Sequence, residues 1–465
     1  MDKPQKRSIW VVICVMLGTT TVSLNNSTIN PAIPVFVEDF DLSPVLATWI
    51  MVTFMATMGI TMPLTNYLSQ LWNRKYVYIT GACLFFIGSA IGMYAQSIQQ
   101  LLIARGIQGI ASGLMIPLSL AIIFSVYPKN QRGRVTGIWG AAVMLAPAFG
   151  PLIGSLMLTF YSWHSLFIIN LPFALITIAL GVKVLPSSRR STDLSFDGVG
   201  YTLIALALAI TLVTTGQLKN AEARQDLFTF VQLAIGIACL VAFVFWSLKR
   251  ESPLLNIRLF NNRGYRSSVV ITVAQAIGMF ECLFLLPILI QSVLGYSPII
   301  TGMMLLVTAL SASLSSHWGG KQLDQQGPNR IVSLGLLING MSTIGIGFVT
   351  TANPIWVLAL LSCLRGTGLG LSYIPITTAG ISTLPDSMIT QGAVMNNISR
   401  RLCASITLLL GAIWLEINTS ASHTNIEYAS AISDVFIAVG LLTITVVPLA
   451  WCFPTKEDYS LHITD

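Results

Sequence analysis

Ala104-Arg105-Gly106-Ile107-Gln108-Gly109, followed by Ala146-Pro147-Ala148-Phe149-Gly150-Pro151-Leu152-Ile153-Gly154, decides what kind of chain this is. The first piece sets an arginine inside an apolar segment, and the second is an apolar segment interrupted by glycine and proline. An arginine at the centre of a membrane-spanning helix costs roughly 2.5–3.5 kcal/mol even on lenient scales, so it should face protein or a water-filled cavity. Snorkelling stays open as an alternative. Arg105 follows Leu101 by about 6 Å at ~1.5 Å per residue, within reach of an interface.

Working outward, the chain has 465 residues, of which 54% are apolar and 9% charged, where a soluble protein would carry about 25% charge. Apolar runs of roughly 20 residues, each able to cross a bilayer as a helix, follow one another along almost the whole length. Fourteen can be laid out, from 9–31 at the start to 402–420 and 431–453 at the end. The expectation is an all-α polytopic membrane protein with no soluble catalytic domain, hence no enzyme. The seven cysteines are odd in number and show no metal-ligand spacing, so neither a disulfide framework nor a metal site is expected.

The net charge of +7 raises nucleic acid as a partner, but the positions of the basic residues point to topology instead. Lys3, Lys6, Arg7, Arg74, Lys75, Lys129, Arg132, Arg134, Lys183, Arg189, Arg190, Lys249, Arg250, Arg258, Arg263, Arg266, Lys321, Arg330, Arg400, Arg401 and Lys456 all fall in segments on one side if the N-terminus is cytoplasmic. Cytoplasmic segments carry such an excess. Both termini are then cytoplasmic, and no nucleic acid is called for.

The opening pattern recurs. Arg105 with Pro117 is echoed by Arg365 with Pro375, at separations of twelve and ten residues, and the polar stretch 66–75 by 320–330. This suggests two six-helix bundles, 1–185 and 267–465, with a linker and two plain inserted helices at 186–266. Parallel repeats around a midplane site mark secondary transporters. The polar residues at depth are then candidates for the cavity: Asn25, Asn26 and Asn30 in the first span, Gln108 in the fourth and Gln275 in the ninth. Glu281 lies fifteen residues past Arg266 and ten before Gln291, deep on either count. An acidic side chain at such depth is a functional candidate. It is either the group that takes and releases a proton or the partner of Arg365 in a structural ion pair.

These residues resemble the major facilitator superfamily, and within it the fourteen-helix drug:proton antiporters of the EmrB/QacA type. The resemblance covers nearly the whole chain. It rests on Arg105-Gly106-Ile107-Gln108-Gly109 in helix 4, on Pro147, Gly150, Pro151 and Gly154 in helix 5, and on Trp163, Phe167, Asn170 and Pro172 at the entry to helix 6. It also rests on Gly320, Asp324, Gly327 and Arg330 in an inner loop. The resemblance implies a major facilitator fold in a bacterial inner membrane and proton-driven export of small amphipathic compounds. It implies no cofactor beyond the proton gradient. Some relatives work with a periplasmic adaptor and an outer-membrane channel. It gives Arg105 to proton coupling, the helix 5 residues to an antiporter motif and the inner loop to a gate, while depth in the membrane adds Glu281 and Arg365 to the coupling set, and the small residues of helix 5 suggest close packing against the other half. Proton-coupled uptake of a small organic solute is the alternative.

Three departures stand out. Asn25 occupies a position where relatives carry an aspartate, Asn66, Gln70 and Asn73 replace glycine, aspartate and glycine in the first inner loop, and Ser155 replaces a glycine in helix 5. The first of these leaves Glu281 as the acidic group at depth.

Overall fold

The computed structural model describes residues 3–127, 132–187, 196–218, 226–250, 253–349, 354–385, 388–419 and 425–453. Lys129, Arg189, Arg190, Lys219, Arg224 and Lys456 lie outside the described residues, as do the side chains of Lys3, Lys6, Arg7, Asn66, Arg132, Arg134 and Asp324.

Long helices make up the chain, and no strand occurs among the described residues. They are α1 (Lys3–Thr28), α2 (Pro44–Leu68), α3 (Arg74–Met93), α4 (Ile98–Val126), α5 (Arg132–Phe160), α6 (Asn170–Val184) and α7 (Gly198–Gln217). Then come α8 (Leu227–Lys249), α9 (Arg263–Ile288), α10 (Pro298–Gln326), α11 (Pro328–Gly347), α12 (Ile355–Ser382), α13 (Ile389–Thr419) and α14 (Asn425–Thr445). Among the described residues, thirteen helices are long and apolar enough to cross a bilayer, and α5, of 29 residues, is a further long helix. The chain is an all-α polytopic membrane protein. Helices fit that setting because they bond their own backbone polar groups internally, which hydrocarbon cannot do for them.

Sequence signals set the helix starts. Ser97 accepts from Gln100 N at 3.4 Å ahead of α4, Asp226 from Phe228 N at 3.1 Å ahead of α8, and Asn262 from Tyr265 N at 2.9 Å ahead of α9. Each bond satisfies a backbone donor that the first helical turn would otherwise leave open.

Two expected loops are helix instead. The stretch 67–75 continues α2 through a π turn, Ser69–Asn73, and reverses at Asn73, which takes φ +98°. The stretch 319–330 is the end of α10 and the start of α11, parted by Gly327 at φ +80° with Pro328 as the first residue of α11. One residue in the left-handed half of φ space is enough for each turn, and glycine and asparagine are the residues that tolerate it. A third correction concerns α13, which starts at Ile389 rather than at 402. Arg400 and Arg401 therefore lie within a helix and not in a loop. Their segment carries Gln391, Asn396 and Asn397, which lower its hydropathy, but α13 packs on α9 and keeps its backbone bonds.

The contacts divide the chain into two compact units: Met1–Leu42 with Leu46–Ala205, and Ser43–Val45 with Leu206–Asp465. Inside the first, α4 meets α2 through Gly109 and Gly113. A Cβ at Gly109 would strike Phe54 O and the Thr57 hydroxyl, and one at Gly113 would strike Met58 O and Thr61. Inside the second, α12 meets α10 in the same way, Gly366 against Thr308 O and Ser311, and Gly370 against Ala312 O and Ser315. Both glycine pairs give one offset, 366 − 109 = 257 and 370 − 113 = 257. The packing register therefore matches Arg365 with Gln108 and Ser362 with Arg105. The register read from the two arginines is out by about one helical turn, since glycine contact fixes how helices pack and an arginine does not.

Candidate functional site

In the first unit, α1, α3 and α6 each contribute one polar side chain, and α4 two, to a buried network. Arg105 Nη1 donates to Gln108 Oε1 at 3.0 Å, and Asn25 Nδ2 donates to that oxygen at 3.1 Å. Gln108 Nε2 donates to Ser89 Oγ at 3.1 Å, and Asn170 Nδ2 donates to Asn25 Oδ1 at 2.8 Å. Arg105 Nε also donates to Ile50 O at 3.2 Å, and its guanidinium carbon lies 4.3 Å from the Phe54 ring centre. The side chain is 1% exposed. Arg105 therefore does not snorkel: backbone, amide and aromatic ring satisfy it inside the bundle.

Asn25 and Gln108 are fully buried, and their polar atoms bond to one another and to the helices around them. Asn30 is likewise buried, in a short 3-10 turn after α1, while Asn26 is half-buried. The sequence pointed to Arg105, Asn25 and Gln108 but not to Ser89 as a partner, and it gave Asn170 only as a motif residue. A serine in an apolar run carries no signal of its own, and contact across 19 or 145 residues is invisible to helical periodicity.

In the second unit a polar edge runs along α9. Ser268 Oγ donates to Ile376 O at 2.8 Å, Thr272 Oγ1 to Asn396 Oδ1 at 2.7 Å, and Gln275 Nε2 to Ser372 Oγ. One turn further, Gly278 O accepts from Arg365 Nη2 at 2.9 Å. Glu281 closes the edge, 2% exposed. These positions are spaced three or four apart, so they share one helix face, turned toward α12 and α13.

Glu281 is not paired with Arg365. The arginine bonds a backbone carbonyl, and no ion pair joins the two among the described residues. Glu281 Oε2 is buried without a hydrogen-bond partner, as are Gln275 Oε1 and Arg365 Nε. The carboxylate lies instead against α13 at Gly411, where an added Cβ would come within 2.7 Å of Oε2. A carboxyl so placed can take up or release a proton without first breaking an ion pair.

The helix 5 residues are at a helix crossing. Gly150, Pro151 and Gly154 are buried and Pro147 half-buried. A Cβ at Gly150 would meet the Ser27 side chain, and one at Gly154 would meet the Thr28 backbone. The two glycines thus bring α5 close against α1 within the first unit. In the turn after α10, Gly327 makes the reversal, Arg330 is exposed, and a Cβ at Gly320 would meet nothing within 4 Å.

The comparisons agree with this architecture. The sequence pattern described as Major Facilitator Superfamily matches residues 15–408. A multidrug resistance protein B homolog of Mycobacterium tuberculosis is 27% identical over 406 residues, 87% of this chain and 75% of that protein. The multidrug export protein EmrB of Haemophilus influenzae is 25% identical over 419 residues, 89% of this chain and 82% of its own. The crystal structure of a D-xylose-proton symporter superposes with a TM-score of 0.67 at 15% identity, covering 96% of this chain and 97% of that one.

Proposed function

The chain belongs to the Major Facilitator Superfamily, and from that premise we propose that it is a multidrug efflux transporter that exports amphipathic organic compounds in exchange for protons. The relatives named for multidrug resistance and export support the efflux reading. One observation carries the proton reading: Glu281 is a buried carboxyl with no ion pair and an unbonded Oε2 in the second unit. Glu281 takes a proton when its unit is open outward and gives it up when open inward, and substrate moves the opposite way. Arg365 acts as the neighbouring cation one turn away, and Arg105 holds the polar network of the first unit together. Asn26, Asn30 and Gln275 contribute to the substrate path. Gly320, Asp324, Gly327 and Arg330 form an inner gate.

The same reading takes 1–185 and 267–465 as the two six-helix bundles and 186–266 as the linker with its inserted helices. It sets the chain in a bacterial inner membrane with both termini and the 249–266 segment in the cytoplasm. Co-purification from cells tests whether a periplasmic adaptor and an outer-membrane channel work with the chain, as they do with some relatives. Direction is tested in inverted membrane vesicles with an imposed pH gradient. Export requires a fluorescent amphipathic dye to accumulate inside when the lumen is acidic. Dye leaving those vesicles under the same gradient would make the chain an uptake system.

A further inference from the structure

Two guanidinium groups on α13 make no ion pair among the described residues. Arg400 and Arg401 lie about 17 Å along the helix from Ile389, at ~1.5 Å per residue. Arg400 Nε and Arg401 Nε and Nη1 are buried without a hydrogen-bond partner among the described residues. Arg400 lies over the Tyr373 ring of α12, its guanidinium carbon 4.6 Å from the ring centre. Arg401 is within electrostatic reach of both Arg400 and Tyr373.

The other arginines at depth are different. Arg105 donates to Ile50 O and Gln108, and Arg365 to Gly278 O. Near the doublet, Asn396 Oδ1 accepts from Thr272 Oγ1 and Asn397 Nδ2 donates to Ala393 O at 3.2 Å, and no hydrogen bond joins either amide to a guanidinium among the described residues. Glu281 is no counter-ion, since it lies against Gly411, about 15 Å further along α13 at ~1.5 Å per residue. Adjacent cations held partly out of water without a counter-charge are costly. A guanidinium fork matches an oxyanion in plane, and an aromatic ring beside it suits a flat apolar body.

We propose that Arg400, Arg401 and Tyr373 form an anion subsite in the second unit that holds the carboxylate of an aromatic organic acid, so that organic anions are a substrate class of this transporter. The subsite rests on the transport reading only for the word substrate; binding itself does not depend on it. It is separate from Glu281, so an anion can be seated whether or not Glu281 carries a proton. The phosphate of an anionic lipid offers the same oxyanion chemistry, and the experiment separates the two sources.

The test uses the purified full-length chain in phosphatidylcholine nanodiscs, with binding of 2-naphthoate and its neutral isostere 2-naphthamide followed by calorimetry. The subsite requires naphthoate to bind roughly tenfold or more tighter than naphthamide. Arg401→Gln should erase that difference by weakening naphthoate alone, and Arg401→Lys should restore part of it, since the charge returns without the fork. A thermal melt checks the fold, and Arg400→Gln replaces Arg401→Gln if the latter is not folded. Equal binding of the two probes, or unchanged naphthoate affinity in both glutamine variants, overturns the subsite. Phosphatidylglycerol in the nanodisc that displaces naphthoate, together with no naphthoate transport in proteoliposomes, makes it a lipid site and overturns the substrate class. Loss of proton-driven transport with naphthoate binding intact would count against the efflux reading and not against the subsite.

Discussion

Glu281 rests on Gly411. A Cβ at Gly411 would stand 2.7 Å from Oε2 and 2.8 Å from Oε1, closer than real contacts allow. The bare backbone of α13 thus makes room for the carboxyl of α9. Gly411→Ala displaces only the far end of a flexible side chain, so the fold should survive while the carboxyl moves. We expect an unchanged melting temperature with proton-driven transport slowed by about tenfold, which is 1.4 kcal/mol. Unaltered transport in a folded Gly411→Val variant would show that the carboxyl's seat is irrelevant.

The network of the first unit yields a stability prediction. Gln108→Ala removes the acceptor shared by Arg105 and Asn25 and the donor to Ser89. A buried guanidinium then loses a hydrogen bond worth roughly 1.5–3 kcal/mol, and the Asn25 and Ser89 side chains lose theirs as well. Asn25→Ala should cost less, about 1–3 kcal/mol, because Arg105 keeps Gln108 and Asn170 keeps Leu166 O. Melting of the purified variants ranks them, and the reverse order would mean that Gln108 is not the hub.

Gly150 and Gly154 differ in what blocks a side chain. At Gly150 the obstacles are the Ser27 hydroxyl, which can rotate, and Ser27 Cβ at 2.8 Å, which cannot; at Gly154 they are the Thr28 backbone atoms. Gly150→Ala should therefore destabilise less than Gly154→Ala, for which overpacking costs about 1–3 kcal/mol. Equal effects in a thermal melt would contradict the α5 and α1 contact described above.

Asn73 carries the turn between α2 and α3 at φ +98° and accepts from Lys75 N at 3.0 Å through its side chain. Asn73→Val should destabilise by about 1–3 kcal/mol, since a β-branched residue at positive φ is strained. Asn73→Gly should be much milder, having lost the cap but gained backbone freedom. Melting curves of the two variants decide the matter, and equal losses would put the whole cost on the cap.

How much of this was legible in the sequence depends on the kind of signal. The membrane class and the order of helices followed from apolar runs, because bilayer thickness sets a length that hydropathy alone can read. The start of α13 was missed because Asn396, Asn397, Arg400 and Arg401 look like loop composition, although hydrogen bonding to α9 keeps Asn396 inside the bundle. The repeat was visible, but its register was not: arginine is rare and catches the eye, whereas the contacts of Gly109 and Gly366 that fix the alignment exist only in three dimensions. Glu281 was legible from depth alone, and the identity of its neighbour was not. Arg365 was the natural partner by charge, yet its guanidinium bonds Gly278 O, one turn away on the same helix.

The measurement that bears most directly on the central claim is proton-driven transport by Glu281→Gln in proteoliposomes, run beside a thermal melt. Glutamine keeps the shape of the protonated carboxyl and cannot release a proton. Since Glu281 has no ion pair to lose, the variant should melt at or above the temperature of the parent, bind substrate, and fail to accumulate it under a pH gradient. Glu281→Asp should keep part of the transport. Full pH-driven accumulation by Glu281→Gln would contradict the proton-carrier role, and a large fall in its melting temperature would assign Glu281 to structure instead.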